Sequence, residues 1–118
     1  MSSKTIPLST HGALEVIAAP AIMMAPFALG FGEAATVITV ALGALLLGLA
    51  LQVEAPRRSV PINAHAGFDY LLATAAIIAG LVVGLSSGEW DAGIFLVGMG
   101  LAMVALTAST RFIVPRGA

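Results

Sequence analysis

Four side chains stand at matching places in the two halves of this 118-residue chain: His11 and Glu15, then His65 and Asp69. In each half the acid follows the imidazole by four residues. On a helix that spacing stacks both groups on one face, roughly 5–6 Å apart at Cβ. Such pairs support several kinds of chemistry. As interfacial anchors, Glu15 and Asp69 would sit in the first turns of their helices, where the backbone dipole favours negative charge, within reach of Arg111 or of Arg57 and Arg58. As ion-handling groups they would mark a path or a store for protons or cations. Two imidazoles and two carboxylates also match the donor types that bind zinc. His11 and His65 could alternatively hold a haem iron between them. The spacing places each pair on its own helix, and the convergence of the two helices is a separate question.

No other chemistry is legible. The chain contains no Cys, which excludes disulfides, thiolate metal sites and cysteine nucleophiles. It has no Gly-rich phosphate loop, no Gly-x-Ser-x-Gly and no His-Glu-x-x-His. Neither an enzyme nor a resident cofactor is expected. Five basic residues spread over three segments form no stripe for nucleic acid.

The elements that must carry these residues are apolar. The chain is 59% hydrophobic and 9% charged, with a mean hydropathy of +1.05. A soluble domain of this size could not hide so much apolar surface. Four spans are expected, at about 12–31, 34–52, 66–85 and 91–112, each near the ~20 residues that cross hydrocarbon. The first run has the length of a full span rather than that of a short signal core. Residues 1–53 then form one two-helix hairpin and 65–118 a second, joined by a polar loop over 54–64. The expected fold is all-α, a membrane four-helix bundle of two tandem hairpins pointing the same way.

Basic residues set the orientation. Lys4, Arg57, Arg58, Arg111 and Arg116 all fall on one side of this ladder, while the turns around Gly30–Glu33 and Ser86–Asp91 carry only acidic charge. Basic loops stay in the cytoplasm. Both termini are therefore expected inside a bacterial cytoplasmic (inner) membrane, with Trp90 as an interfacial anchor and Glu33 and Glu89 as solvated loop charges.

The hairpins read as copies. At an offset of 54 residues His11, Glu15, Ala19 and Gly30 align with His65, Asp69, Ala73 and Gly84, and at 55 Gly43 and Leu46 align with Gly98 and Leu101. Small residues permit close helix approach in lipid. Ala76, Gly80 and Gly84, Ala44 and Gly48, and Gly98 and Ala102 are accordingly read as helix-packing positions. Pro20 and Pro26 each remove a backbone donor and predict a bend in the first helix.

A carboxylate, a small residue four positions later and a short motif before the helix end occur as Glu15, Ala19 and Ala25-Pro26-Phe27, closed by Gly30. This tandem two-span unit resembles the small bacterial membrane proteins built from SPW repeats. Ala-Pro-Phe keeps the proline and an aromatic ring where that family has Ser-Pro-Trp, and Ala79-Gly80-Leu81 in the second half keeps neither. The resemblance implies a four-helix integral membrane protein and carries over no catalytic residue. Small-residue faces and the absence of catalytic motifs point to a non-enzymatic accessory or scaffolding subunit in the lipid bilayer, packing as a homo-oligomer or within a larger membrane complex. A small proton- or cation-coupled transporter or channel using Glu15 and Asp69 is the alternative. Metal or haem binding through His11 and His65 is the second.

Overall fold

Pro7 and Pro61 open the two helices that carry the His–acid pairs. Their φ angles of −65° and −60° with extended ψ hold the chain ready to turn into a helix, as a ring-fixed φ does. The computed structural model describes residues 4–53 and 61–112. Helix α1 spans Leu8–Leu29, α2 Glu33–Leu51, α3 Ile62–Ser87 and α4 Trp90–Ala108. Two short strands, β1 (Ile6–Pro7) and β2 (Thr110–Arg111), pair in parallel, Ile6 with Thr110 and Pro7 with Arg111.

The result is an all-α four-helix bundle. α1 packs along α2 and α3 along α4, while α2–α3 and α1–α4 meet over shorter stretches. The backbones of α1 and α3 therefore lie across the bundle from one another. Strand pairing brings the segment before α1 to the segment after α4 at one end. At the other end Glu89 Oε1 accepts a hydrogen bond of 2.6 Å from the Gly32 amide. Glu89 is thus a clasp between the two hairpin tips, not a purely solvated charge.

Each helix is long and apolar enough to cross a membrane. Nineteen residues, the length of α2 and α4, rise about 28 Å against a hydrocarbon core of about 30 Å. The bundle turns apolar side chains outward as well as inward: Ile17 is 72%, Phe27 71% and Leu85 77% exposed. Inside, Ala19, Leu46, Ala73 and Met103 form the central core, and Phe31, Ala35, Val83 and Ala92 a second one near the tips. Glycines C-cap α1 and α3, Gly30 at φ 70° and Gly88 at φ 72°, a left-handed conformation that costs other residues more.

Several boundaries differ from the sequence expectation. α1 and α3 begin at Leu8 and Ile62, about one turn earlier than the apolar runs indicate, because the prolines rather than hydropathy set their starts. α4 stops at Ala108, and Thr110–Arg111 is strand, not the end of a span to 112. Arg57, Arg58 and Arg116 lie outside the described residues. α1 runs through both Pro20 and Pro26 as one helix.

The packing register also differs. Ala76, Gly80 and Gly84 are buried against α4, where a Cβ on Gly80 would lie 2.6 Å from the Gly93 carbonyl oxygen and one on Gly84 would meet the Trp90 ring. Trp90, 43% exposed, divides its ring between that contact and the surface. Ala44, Gly48, Gly98 and Ala102 are exposed instead, and the inward positions are Gly43 on α2 and Gly93 and Gly100 on α4. One residue turns a helix by about 100°, so a small-residue pair read one or two places off points away from its partner.

The buried positions of α2 recur on α4 at a different spacing from the one read in the sequence. The buried set Ala35, Thr39, Gly43, Leu46, Ala50 and Val53 maps onto Ala92, Leu96, Gly100, Met103, Thr107 and Thr110 at an offset of 57, not 55. The ends of α2 and α4 match at the same offset.

Candidate functional site

His11 lies in the opening turns of α1 and Glu15 one turn further; His65 and Asp69 take the same places on α3. All four side chains turn inward and meet across the bundle. They are 0%, 2%, 1% and 0% exposed respectively. One donor atom from each lies within 4.8 Å of those of the other three. His11 Nε2 is 3.0 Å from Glu15 Oε1 and 2.9 Å from Asp69 Oδ2. His65 Nε2 is 3.1 Å from Asp69 Oδ2 and 3.5 Å from Glu15 Oε1. Each imidazole thus faces both the acid on its own helix and the acid on the other.

This geometry corrects the reading of the acids as interfacial anchors. Because α1 and α3 start early, neither acid is in a first turn, and the dipole there is not what supports them. Their close partners are imidazoles, and Arg111 is exposed.

Two residues join the site that residue types and spacing did not single out. His11 Nδ1 lies 2.8 Å from Thr110 Oγ1, and the same hydroxyl lies 2.6 Å from the Leu106 carbonyl oxygen. A carbonyl only accepts, so the Thr110 proton is committed to Leu106 and His11 Nδ1–H must donate to Thr110. Nε2 of a neutral His11 then carries the lone pair. Phe112 supplies the second contact: its ring meets those of His11 and His65 at centroid distances of 5.1 and 5.9 Å. The run past Ala108 looks in sequence like the tail of a span, so only the β1–β2 pairing reveals that it folds back over the site.

His11 Nε2 and Asp69 Oδ2, 2.9 Å apart, form a hydrogen bond when the ring carries both protons. The neutral ring instead aims a lone pair at two carboxylate oxygens, and the remaining groups are less well matched. Among the described residues, Glu15 Oε1 and Oε2, His65 Nε2 and Asp69 Oδ1 have no aligned hydrogen-bond partner although all are buried. Buried polar groups left so are costly. Positive charge among the four donors removes the conflict. A haem does not fit: carboxylate oxygens lie 2.9–3.5 Å from the imidazole nitrogens, where the macrocycle would have to pass.

No protein-family model, curated protein or solved structure matches the chain.

Proposed function

We propose that this chain is a small integral membrane protein, organised around a buried cation-binding site shared by its two hairpins. The membrane part is supported by four helices of spanning length and by the outward-facing apolar side chains. Lys4 and Arg111 share the end where β1 meets β2, and Glu33, Glu89 and Asp91 lie at the tips. Under the positive-inside rule that arrangement corresponds to cytoplasmic termini, in the inner membrane of a bacterium. The duplicated hairpin belongs to the same proposal, supported by the matching burial sets. Likeness to SPW-repeat proteins rests on Ala25-Pro26-Phe27 and remains a proposal of family.

One observation carries the cation site: two imidazole nitrogens and two carboxylate oxygens face each other, fully buried, at 2.9–3.5 Å. In a low-dielectric interior two carboxylates cannot remain charged without a compensating cation. The test is a charge-balance cycle on the detergent-solubilised protein. Replacing only Glu15 and Asp69 by Leu, or only His11 and His65, should cost about 3–5 kcal/mol, whereas replacing all four together should cost much less. Additive losses, with coupling under about 0.5 kcal/mol, would exclude an interacting site.

The accessory role is a second part of the proposal. Ala44 and Gly48 on α2, and Gly98 and Ala102 on α4, are small residues exposed on outer faces, and a Cβ added at Gly48 or Gly98 meets nothing within 4 Å. Such faces suit association with a second copy or a larger membrane complex. Purification in mild detergent should give a defined homo-oligomer or complex; a strictly monomeric, partnerless protein would refute it.

A further inference from the structure

We infer that the cation is a divalent metal ion of the zinc class, held in a closed four-coordinate shell that staples the two hairpins together. The inference rests on the cation-binding reading above and identifies which cation the site takes.

Four observations point the same way. The first is distance. A tetrahedral ion with bonds of about 2.0–2.1 Å places neighbouring donors about 3.3 Å apart. Four of the six donor pairs, the imidazole–carboxylate ones at 2.9, 3.0, 3.1 and 3.5 Å, lie near that value. The imidazole–imidazole and carboxylate–carboxylate pairs lie within 4.8 Å, close enough for an ion to draw in. The second is charge: one divalent ion neutralises Glu15 and Asp69 together and leaves the apolar bundle uncharged, whereas a monovalent ion leaves one negative charge behind.

The third observation weighs a metal against protons, for which only His11 Nε2 has an aligned acceptor, Asp69 Oδ2 at 2.9 Å. A proton on His65 Nε2 needs an aligned acceptor, and that nitrogen has none, although carboxylate oxygens lie 3.1 and 3.5 Å away. A metal ion at the common focus needs only the lone pair. The fourth is the outer shell. Thr110 fixes the Nδ1–H tautomer of His11, and a hydrogen bond to the far ring nitrogen is the usual companion of a metal-bound imidazole. Phe112 lies against both rings and adds to the apolar surround.

Four protein donors with near-zero exposure leave no open coordination position, which is the pattern of structural rather than catalytic sites. Two donors come from α1 and two from α3, the pair of helices whose backbones lie diagonally across the bundle. The ion therefore joins the hairpins through two helices that make little direct contact.

The experiment uses the full chain, purified in mild detergent without a histidine tag and stripped with chelator. Titration with Co2+ should give visible absorption of tetrahedral intensity that saturates at one ion per chain, and Zn2+ should displace it. Zn2+ should raise the melting temperature of the wild type but not of His65→Ala. Thr110→Val, which keeps all four donors, should weaken Zn2+ binding about 10–100-fold while retaining the Co2+ bands. Should His65→Ala fail to fold, the wild-type spectrum and Thr110→Val decide. No binding, a weak six-coordinate spectrum, or full Zn2+ affinity in His65→Ala would each overturn the inference. If metal fails to bind while the charge-balance cycle still shows strong coupling, protons supply the charge and the cation-site reading survives. If both fail, both readings fall.

Discussion

The two hairpins present the same polar face with different support behind it. His11–Glu15 and His65–Asp69 are separated by 3.0 and 3.1 Å within their own helices. Across the bundle the symmetry is broken: His11 stands 2.9 Å from Asp69, but His65 stands 3.5 Å from Glu15. Behind His11 is the Thr110 hydroxyl. At the corresponding offset of 57 the first hairpin has Val53, a side chain of similar shape without a hydroxyl. The difference teaches that donors and orientation are separate properties of the site. Both halves supply an imidazole and an acid; among the described residues, the polar side chain seen to fix a ring is Thr110, behind His11.

That comparison can be broken at several points. The largest effect is expected from single charge removal: Asp69→Leu or Glu15→Leu should destabilise the protein by about 3–5 kcal/mol in chemical or thermal unfolding. Asp69→Leu should be the worse of the two, because Asp69 lies nearer both imidazoles. Equal losses would show that the 2.9 and 3.5 Å contacts are energetically equivalent.

Next comes helix packing. A Cβ at Gly100 would lie 2.6 Å from the Ala73 carbonyl oxygen, a backbone atom that cannot swing aside; at Gly43 the nearest atom belongs to the flexible Met23 side chain, with the Ala19 carbonyl oxygen at 3.2 Å. Gly100→Ala should therefore cost about 1–3 kcal/mol. Gly43→Ala should cost less, since Met can adjust. Equal losses in melting experiments would mean that the hairpins are packed alike.

A sharper test moves the missing hydroxyl. Val53→Thr should tighten Zn2+ binding if position 53 can serve His65 as Thr110 serves His11, by no more than the 10–100-fold span of such outer partners. Unchanged affinity in a Zn2+ titration would confine that role to the second hairpin. The smallest effect belongs to the tips, where Glu89→Ala removes one exposed hydrogen bond to Gly32 and should cost about 1 kcal/mol or less.

Four helices, their hairpin pairing and the four polar residues were legible in sequence because each has a local signal: long apolar runs, glycine turns and a four-residue spacing. Their meeting was not. Whether His11 and His65 face each other depends on how α1 and α3 are rotated, which is fixed by tertiary packing rather than by either helix. The helix starts were misplaced for a related reason, since Pro7 and Pro61 extend α1 and α3 beyond their apolar runs and move Glu15 and Asp69 out of the first turn. Thr110 and Phe112 were missed because a threonine and a phenylalanine at the end of an apolar run carry no periodic signal. Ala44, Gly48, Gly98 and Ala102 show the limit of composition: small size marks where a helix can be approached, and only the register shows from which side.

The extra length of the second hairpin carries its own lesson. α3 continues to Ser87, whereas the residue corresponding to the end of α1 is Val83. Four additional residues are close to one full revolution of the spiral and lift that tip by about 6 Å. The return helix can then keep its heading towards the middle of the molecule despite the greater length of α3. An addition of one or two residues inside the helix would instead swing everything beyond it by about 100–200°. Growth of this fold at its tips is therefore quantised, proceeding in whole revolutions or in loop, with the steps between them closed.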